Sequence, residues 1–110
     1  MIPTDPAQGW HTLSERWLGS VPATVGVFEI ADAAGTVVDM GYGGGREPFG
    51  IRGAIGPWLK RAGPWQVRYE VTSSYLTRFY ELAMLHRARC GELPPGLRER
   101  GERIAGELQP

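Results

Sequence analysis

The sequence uses cysteine once, at Cys90, and lysine once, at Lys60. A single cysteine excludes an intramolecular disulfide and points to a cytoplasmic compartment; Cys90 itself reads as a small core residue. No apolar run approaches the roughly 20 residues of a membrane-spanning helix. The first ten residues, MIPTDPAQGW, lack the basic and apolar segments of a secretory signal, so nothing addresses the chain to or across a membrane. Net charge is absent as well: 12 Lys and Arg balance 12 Asp and Glu. That argues against tight nonspecific binding of nucleic acid, whose affinity comes mostly from cations neutralising phosphates. Positive charge is scarce in the first 45 residues, where Arg16 faces five acids, whereas residues 46–110 carry eleven basic residues against seven acids. A local basic surface in the second half is compatible with this split. No His, Cys and acid cluster has zinc-site spacing, no Ser-His-Asp or nucleotide-binding pattern is present, and there are no internal repeats.

What the sequence does have is enough apolar material for one core. It has 110 residues, 42% of them hydrophobic, with four Trp, four Tyr and three Phe. This describes a single folded domain spanning 1–110.

The chain is organised around GVFEIADAAGTVVDMGYGGG, from Gly26 to Gly45. Two β-branched and aromatic runs, Val25 to Ile30 and Thr36 to Met40, flank Ala33-Ala34-Gly35, which predicts a β-hairpin. Upstream, residues 1–9 carry two prolines and no periodicity, the pattern of a loose lead-in. Thr12 to Glu15 has the form of a capping box and predicts a short helix over about 12–18, with Leu13 and Trp17 on its apolar face. Downstream, four glycines in the five positions from Gly41 to Gly45 form either a flexible turn or a loop whose N–H groups approach an anion, with Gly43, Gly44 and Arg46 as the phosphate-binding candidates. A short helix near 48–55 should break at Gly56-Pro57. WQVRYEV, from Trp65 to Val71, alternates strictly and predicts a third strand, with Gln66, Arg68 and Glu70 on a wet face. Tyr75 to Cys90 has helical periodicity, placing Tyr75, Phe79, Leu82, Ala83, His86 and Cys90 on one arc, and Gly91 and Pro94-Pro95 end it. The tail from about 92 to 110 can form an amphipathic helix on Leu97, Ile104 and Leu108.

This order, with its local motifs, resembles the GIY-YIG endonuclease superfamily over roughly residues 24–90. Gly26-Val27-Phe28 sits where such proteins carry Gly-Ile-Tyr, and Asp39-Met40-Gly41 sits where they carry Tyr-Ile-Gly, Asp39 standing eleven positions after Phe28. The resemblance implies a small α/β domain, a three-stranded sheet with a β-hairpin flanked by helices. It also implies a site completed by an arginine on the helix after the hairpin and a glutamate on the later helix, for which Arg52 and Glu81 are the candidates. In active members the first tyrosine helps activate water, the second positions groups at the phosphate, the arginine stabilises charge and the glutamate holds a divalent metal.

Here Phe28 lacks the phenol oxygen, and Asp39 puts an anion where a neutral donor would meet a phosphate, an electrostatic mismatch unless a metal intervenes. Tyr42 is the nearest phenol that a loop could supply instead. Arg52 reads either as a phosphate contact or as plain surface. Glu81 reads either as the ligand of Mg²⁺ or Mn²⁺ or as the ion-pair partner of Arg78 three residues earlier. His86 reads as a packed histidine. Two functions follow. One is a GIY-YIG-like module that has lost nuclease catalysis and binds nucleic acid or a protein, for which Trp58, Trp65 or Tyr80 would form an apolar surface. The other is a divergent metal-dependent endonuclease using Arg52 and Glu81, with Arg46, Arg52 and Arg78 gathered around the glutamate.

Overall fold

The computed structural model describes residues 2, 3, 5 and 8–101. It contains strand β1 (His11–Thr12), helix α1 (Glu15–Leu18), the hairpin strands β2 (Gly26–Ala31) and β3 (Val37–Gly43), and helix α2 (Gly50–Ile55) running into a 3₁₀ helix (Gly56–Lys60). Strand β4 (Gln66–Val71), helix α3 (Tyr75–Cys90) and helix α4 (Pro95–Glu99) complete it. The sheet has four strands rather than three, antiparallel throughout, in the order β1-β4-β2-β3. The extra strand is a two-residue pairing of His11 and Thr12 with Val67 and Gln66; a segment that short leaves no periodicity in a sequence.

The hairpin forms as the sequence predicts, and its turn is held by one side chain. Asp32 Oδ1 accepts from the N–H groups of Ala34 (2.9 Å) and Thr36 (3.0 Å), and Gly35 adopts φ +87° to close the turn. Beside it the register shifts between Ile30 and Ala31.

Strand β2 lies between β3 and β4 and all six of its residues are buried, because helices cover both sheet faces. Phe28, Ile30 and Val67 pack with Ile51 and Ile55 of α2 and with Trp58, while Leu13, Trp17 and Leu18 close the rim of that layer. On the opposite face Val27 and Met40 pack with Phe79, Leu82 and Ala83 of α3 and with Leu97 of α4. The side of β4 expected to be wet is therefore largely covered: Arg68 is buried and Gln66 and Glu70 are half-buried. Arg68 and Glu29, directly opposed in the β2–β4 register, form an ion pair of 2.6 Å with side chains only 4% and 5% exposed. Alternation identified the strand correctly, but it cannot tell a solvated polar face from one whose charges neutralise each other beneath a helix.

The described residues of the N-terminal segment are also tied down rather than loose. Ile2 is buried in the α3-side core and donates its N–H to Glu70 Oε1 at 2.9 Å. Arg68 Nη1 donates to the carbonyls of Asp5 (3.1 Å) and Gln8 (2.7 Å), and its guanidinium lies 4.4 Å from the Trp10 ring centroid. Helix α1 is capped by Ser14, whose Oγ accepts from the Trp17 N–H at 3.0 Å, in place of the predicted Thr12–Glu15 box. Thr12 is engaged in the β1 pairing instead. Of the tail residues predicted to form a helix, Leu97 lies in α4, whereas Ile104 and Leu108 fall outside the described residues.

The buried ion pair makes a stability prediction. Arg68→Met leaves Glu29 uncompensated in the core and should cost about 3–5 kcal/mol in chemical denaturation. Adding Glu29→Leu should recover a large part of that, the remainder being the lost anchoring at Asp5 and Gln8.

Candidate functional site

Phe28 and Gly41 are direct neighbours across the β2–β3 register, and Asp39 pairs with Ile30 two steps along. The two motif positions thus converge at the β3 edge of the sheet. Asp39 is buried and its carboxylate is fully engaged: Arg100 Nη1 donates to Oδ2 at 2.8 Å, Arg100 Nη2 to Oδ1 at 3.0 Å, and the Met40 N–H to Oδ1 at 2.8 Å. Arg100 also reaches the Met40 carbonyl at 3.4 Å. Helix α4 comes so close that a Cβ on Gly96 would overlap the carboxylate, so glycine is required there. The charge of Asp39 is thus met by the Arg100 guanidinium. The sequence hid this partner because Arg100 follows the aspartate by 61 positions, in a tail with little pattern of its own.

Tyr42 stands in β3 and not in a loop. Its ring stacks on Tyr75 at 5.6 Å and meets Phe79 edge-on at 5.2 Å. The glycines after it serve packing as well as turning. A Cβ on Gly43 would strike the backbone of Gly50 and Ile51, so the end of β3 and the start of α2 touch main chain to main chain. Gly44 rests on the Tyr75 ring, while Gly45 and Arg46 are exposed. With Tyr75 and Leu76 they line a hollow of about 340 Å³.

That hollow shares Tyr42 and Glu47 with a second one of about 410 Å³, lined by Phe28, Asp39, Trp58 and Arg100. The second shares Asp39, Trp58 and Arg100 with a third of about 450 Å³ that includes Arg61 and Trp65. The three hollows thus adjoin one another along β3, and together they are the groove considered below. Trp58, a candidate for an exposed apolar surface, is in fact buried and covered by the Arg61 guanidinium at 3.9 Å from its ring centroid. Trp65 and Tyr80 are half-buried.

Arg52 and Glu81 do not join this groove. Arg52 is half-buried and donates from Nε to the Val21 carbonyl at 2.7 Å, tying α2 to the segment before β2. Glu81 is 61% exposed, with Oε1 3.7 Å from Arg78 Nη1. Arg78 in turn holds Glu70 at 3.2 Å. Of the three arginines considered as a cluster around Glu81, Arg78 is the one that forms an ion pair with it. No group of three or more His, Cys, Asp or Glu is placed to hold a metal among the described residues; Glu81 alone would hold Mg²⁺ or Mn²⁺ only together with water and substrate oxygens.

On the far side of the sheet, Cys90 is exposed at the end of α3 rather than in the core, with Sγ 4.0 Å from His86 Nδ1. Burial and the nearby Arg89 cation lower the His86 pKa below its ordinary value, against a smaller raising effect from Glu92.

The sequence profile of a family described as Domain of unknown function (DUF7508) matches residues 5–89, and the chain belongs to that family. No curated protein and no solved structure matches the chain.

Two predictions arise from these contacts. Arg100→Ala strands the Asp39 carboxylate; because Arg100 is 45% exposed and its attraction partly screened, the loss should be about 1–2 kcal/mol in chemical denaturation, and Asp39→Asn in the same background should recover part of it. For His86, the folded pKa lies below the unfolded one, so the unfolded chain binds more protons as pH falls through about 6.5. The stability contribution of neutral His86 is complete above that pH and is lost below it. Denaturation midpoints followed from neutral pH down to about 5 should fall less steeply in His86→Gln.

Proposed function

We propose that this chain is a GIY-YIG-like domain that has lost nuclease catalysis and acts by binding a polypeptide partner in the groove along β3. The observation that carries this is the Asp39–Arg100 pair. Where an active member would present a phenol to a phosphate, this chain presents a carboxylate already satisfied by a bidentate guanidinium and roofed by Gly96.

Support for the relationship comes from the hairpin with its third partner strand beside β2, the helix between them, the following α3, and the convergence of the two motif positions. Support for the loss of catalysis comes from Phe28, from Arg52 being spent on a main-chain carbonyl, and from Glu81 standing in solvent with Arg78. Loss of a positioned general base or donor typically lowers a rate by about 10²–10⁴.

Charge argues for a polypeptide over a polynucleotide. The groove is lined by Arg46, Arg61 and Arg100 and equally by Asp39, Glu47 and Glu99. Such a balance provides no surplus of cations to neutralise a phosphate backbone. The exposed rings and side chains of Tyr42 and Leu76 offer apolar contact at the loop end of the same groove.

Nicking of supercoiled plasmid with Mg²⁺ or Mn²⁺ tests the loss of catalysis. The wild-type chain should cleave no faster than Glu81→Ala; metal-dependent cleavage that disappears with Glu81 would establish a divergent endonuclease instead. A fluorescence-anisotropy titration with a labelled single-stranded oligonucleotide at low salt tests the partner class. No saturable binding is expected, and binding that weakens in Arg46→Ala would make nucleic acid the partner.

A further inference from the structure

The hydrogen-bond ladder decides which main-chain groups of β3 face away from the sheet. The Thr72 N–H donates to the Val25 carbonyl at 3.3 Å, so the odd-numbered residues of β2 turn their main-chain groups to β4 and the even-numbered ones to β3. Through the β2–β3 register, Asp39, Gly41 and Gly43 carry that ladder, and Met40 and Tyr42 turn their groups outward. Met40 is closed: its N–H goes to Asp39 Oδ1 at 2.8 Å and its carbonyl accepts from Arg100 at 3.4 Å. Cover by the Asp39–Arg100 pair stops there. The outward N–H and carbonyl of Tyr42 make no hydrogen bond with a described residue.

The open donors continue past the end of the strand. No described residue accepts from the N–H of Gly44, Gly45 or Arg46, and a Cβ on Gly45 would meet nothing within 4 Å. The Arg46 side chain is exposed and pairs with no described residue. All three residues line the hollow of about 340 Å³ at the loop end of the groove, whose apolar lining is Tyr42, Tyr75 and Leu76. Glu47, its one acid, is exposed.

From this we infer that the partner polypeptide enters the groove by its C-terminus, adding its last residues as a short parallel strand beside Tyr42 and setting its carboxylate at Gly44, Gly45 and Arg46. The inference rests on the polypeptide reading of the groove given above. In a parallel ladder one residue bonds to the two partners that flank the position opposite it. The Tyr42 N–H then donates to the carbonyl of the third residue from the end, and the Tyr42 carbonyl accepts the N–H of the last. The next donor along the same ladder is the Gly44 N–H, which meets the carboxylate.

A chain end fits where a longer strand does not, because Met40 is closed and α4 lies against β3 at Asp39. The end must be the acidic one, since the open groups beyond Tyr42 are N–H donors and a guanidinium, which an ammonium group cannot satisfy. The penultimate side chain shares the face of Tyr42 and lies against the exposed surfaces of Tyr42 and Leu76, which favours an apolar residue there.

Short random peptides displayed with free C-termini, selected against the full chain beside the same peptides held within a carrier loop, test this. The strongest free-terminus binder is then made as the acid, as the C-terminal amide, and with its last peptide nitrogen methylated. The acid should give saturable ¹H–¹⁵N shifts at Tyr42, Gly44 and Gly45. The amide should bind at least about tenfold more weakly, having lost its charge-assisted hydrogen bonds, and the methylated peptide about fivefold more weakly, having lost one neutral bond. Arg46→Ala should weaken the acid by about fivefold and Glu47→Gln should tighten it by up to about fivefold, effects of the size that exposed charges exert. Equal affinity of acid and amide, a methylated peptide that binds as well as the acid, or groove binders drawn from the carrier loops alone would overturn the inference and leave the polypeptide reading standing. No binder from either library, or shifts confined to residues outside the three hollows, would overturn both.

Discussion

A strand buried on both faces cannot carry a lone charge, and β2 carries Glu29 at its centre. The fold depends on how that charge is met. Arg68 meets it from the adjacent position on β4, and the same guanidinium then reaches the carbonyls of Asp5 and Gln8 and lies against Trp10. One side chain thereby links the register of β2 on β4 to the positions of Asp5, Gln8 and Trp10. A slip by one residue would move Arg68 to the α2 face and leave Glu29 alone under α3, an error costing several kcal/mol. Ion pairs of this sort add little net stability compared with apolar replacements, but they discriminate strongly against wrong registers.

The same constraint explains what could be read from the sequence and what could not. The hairpin, β4 and α3 follow from short-range pattern: Asp32 and Gly35 at the turn, the alternation from Trp65 to Val71, the spacing of Phe79, Leu82 and Ala83. Each signal lies within a few residues of the element it specifies. The misread positions are those whose environment comes from far along the chain. Arg68 looks solvated until Glu29 and α3 are set beside it. Ile2 looks loose until the core it enters is formed, and Thr12 looks like a cap until it pairs with Gln66. Cys90 shows the converse: helical periodicity puts it on the apolar arc, but at the end of α3 it is exposed, as are Ala88 and Arg89.

The candidate site was legible in position and not in chemistry. Phe28, Gly41 and Asp39 converge as their spacing requires, since a hairpin register is set by its turn. What each side chain does there depends on partners that spacing does not encode. Arg52, read as a phosphate contact or as plain surface, is half-buried and donates from Nε to the Val21 carbonyl, a tie between α2 and the chain entering β2. Glu81 and Arg78 sit together as i, i+3 neighbours on α3, the arrangement that helical geometry alone supplies.

Asp39 shows how one residue can organise a whole edge of a sheet. A carboxylate that is only 7% exposed requires a cation, and Arg100 provides one from beyond α4. Seating that arginine brings Pro95–Glu99 down onto β3, which in turn forbids any side chain at position 96. The pair covers the outer edge of β3, blunting a strand that would otherwise present free main-chain groups to other chains. The aspartate, the arginine and the glycine therefore form one structural unit, and a substitution at any of the three changes what the other two can do.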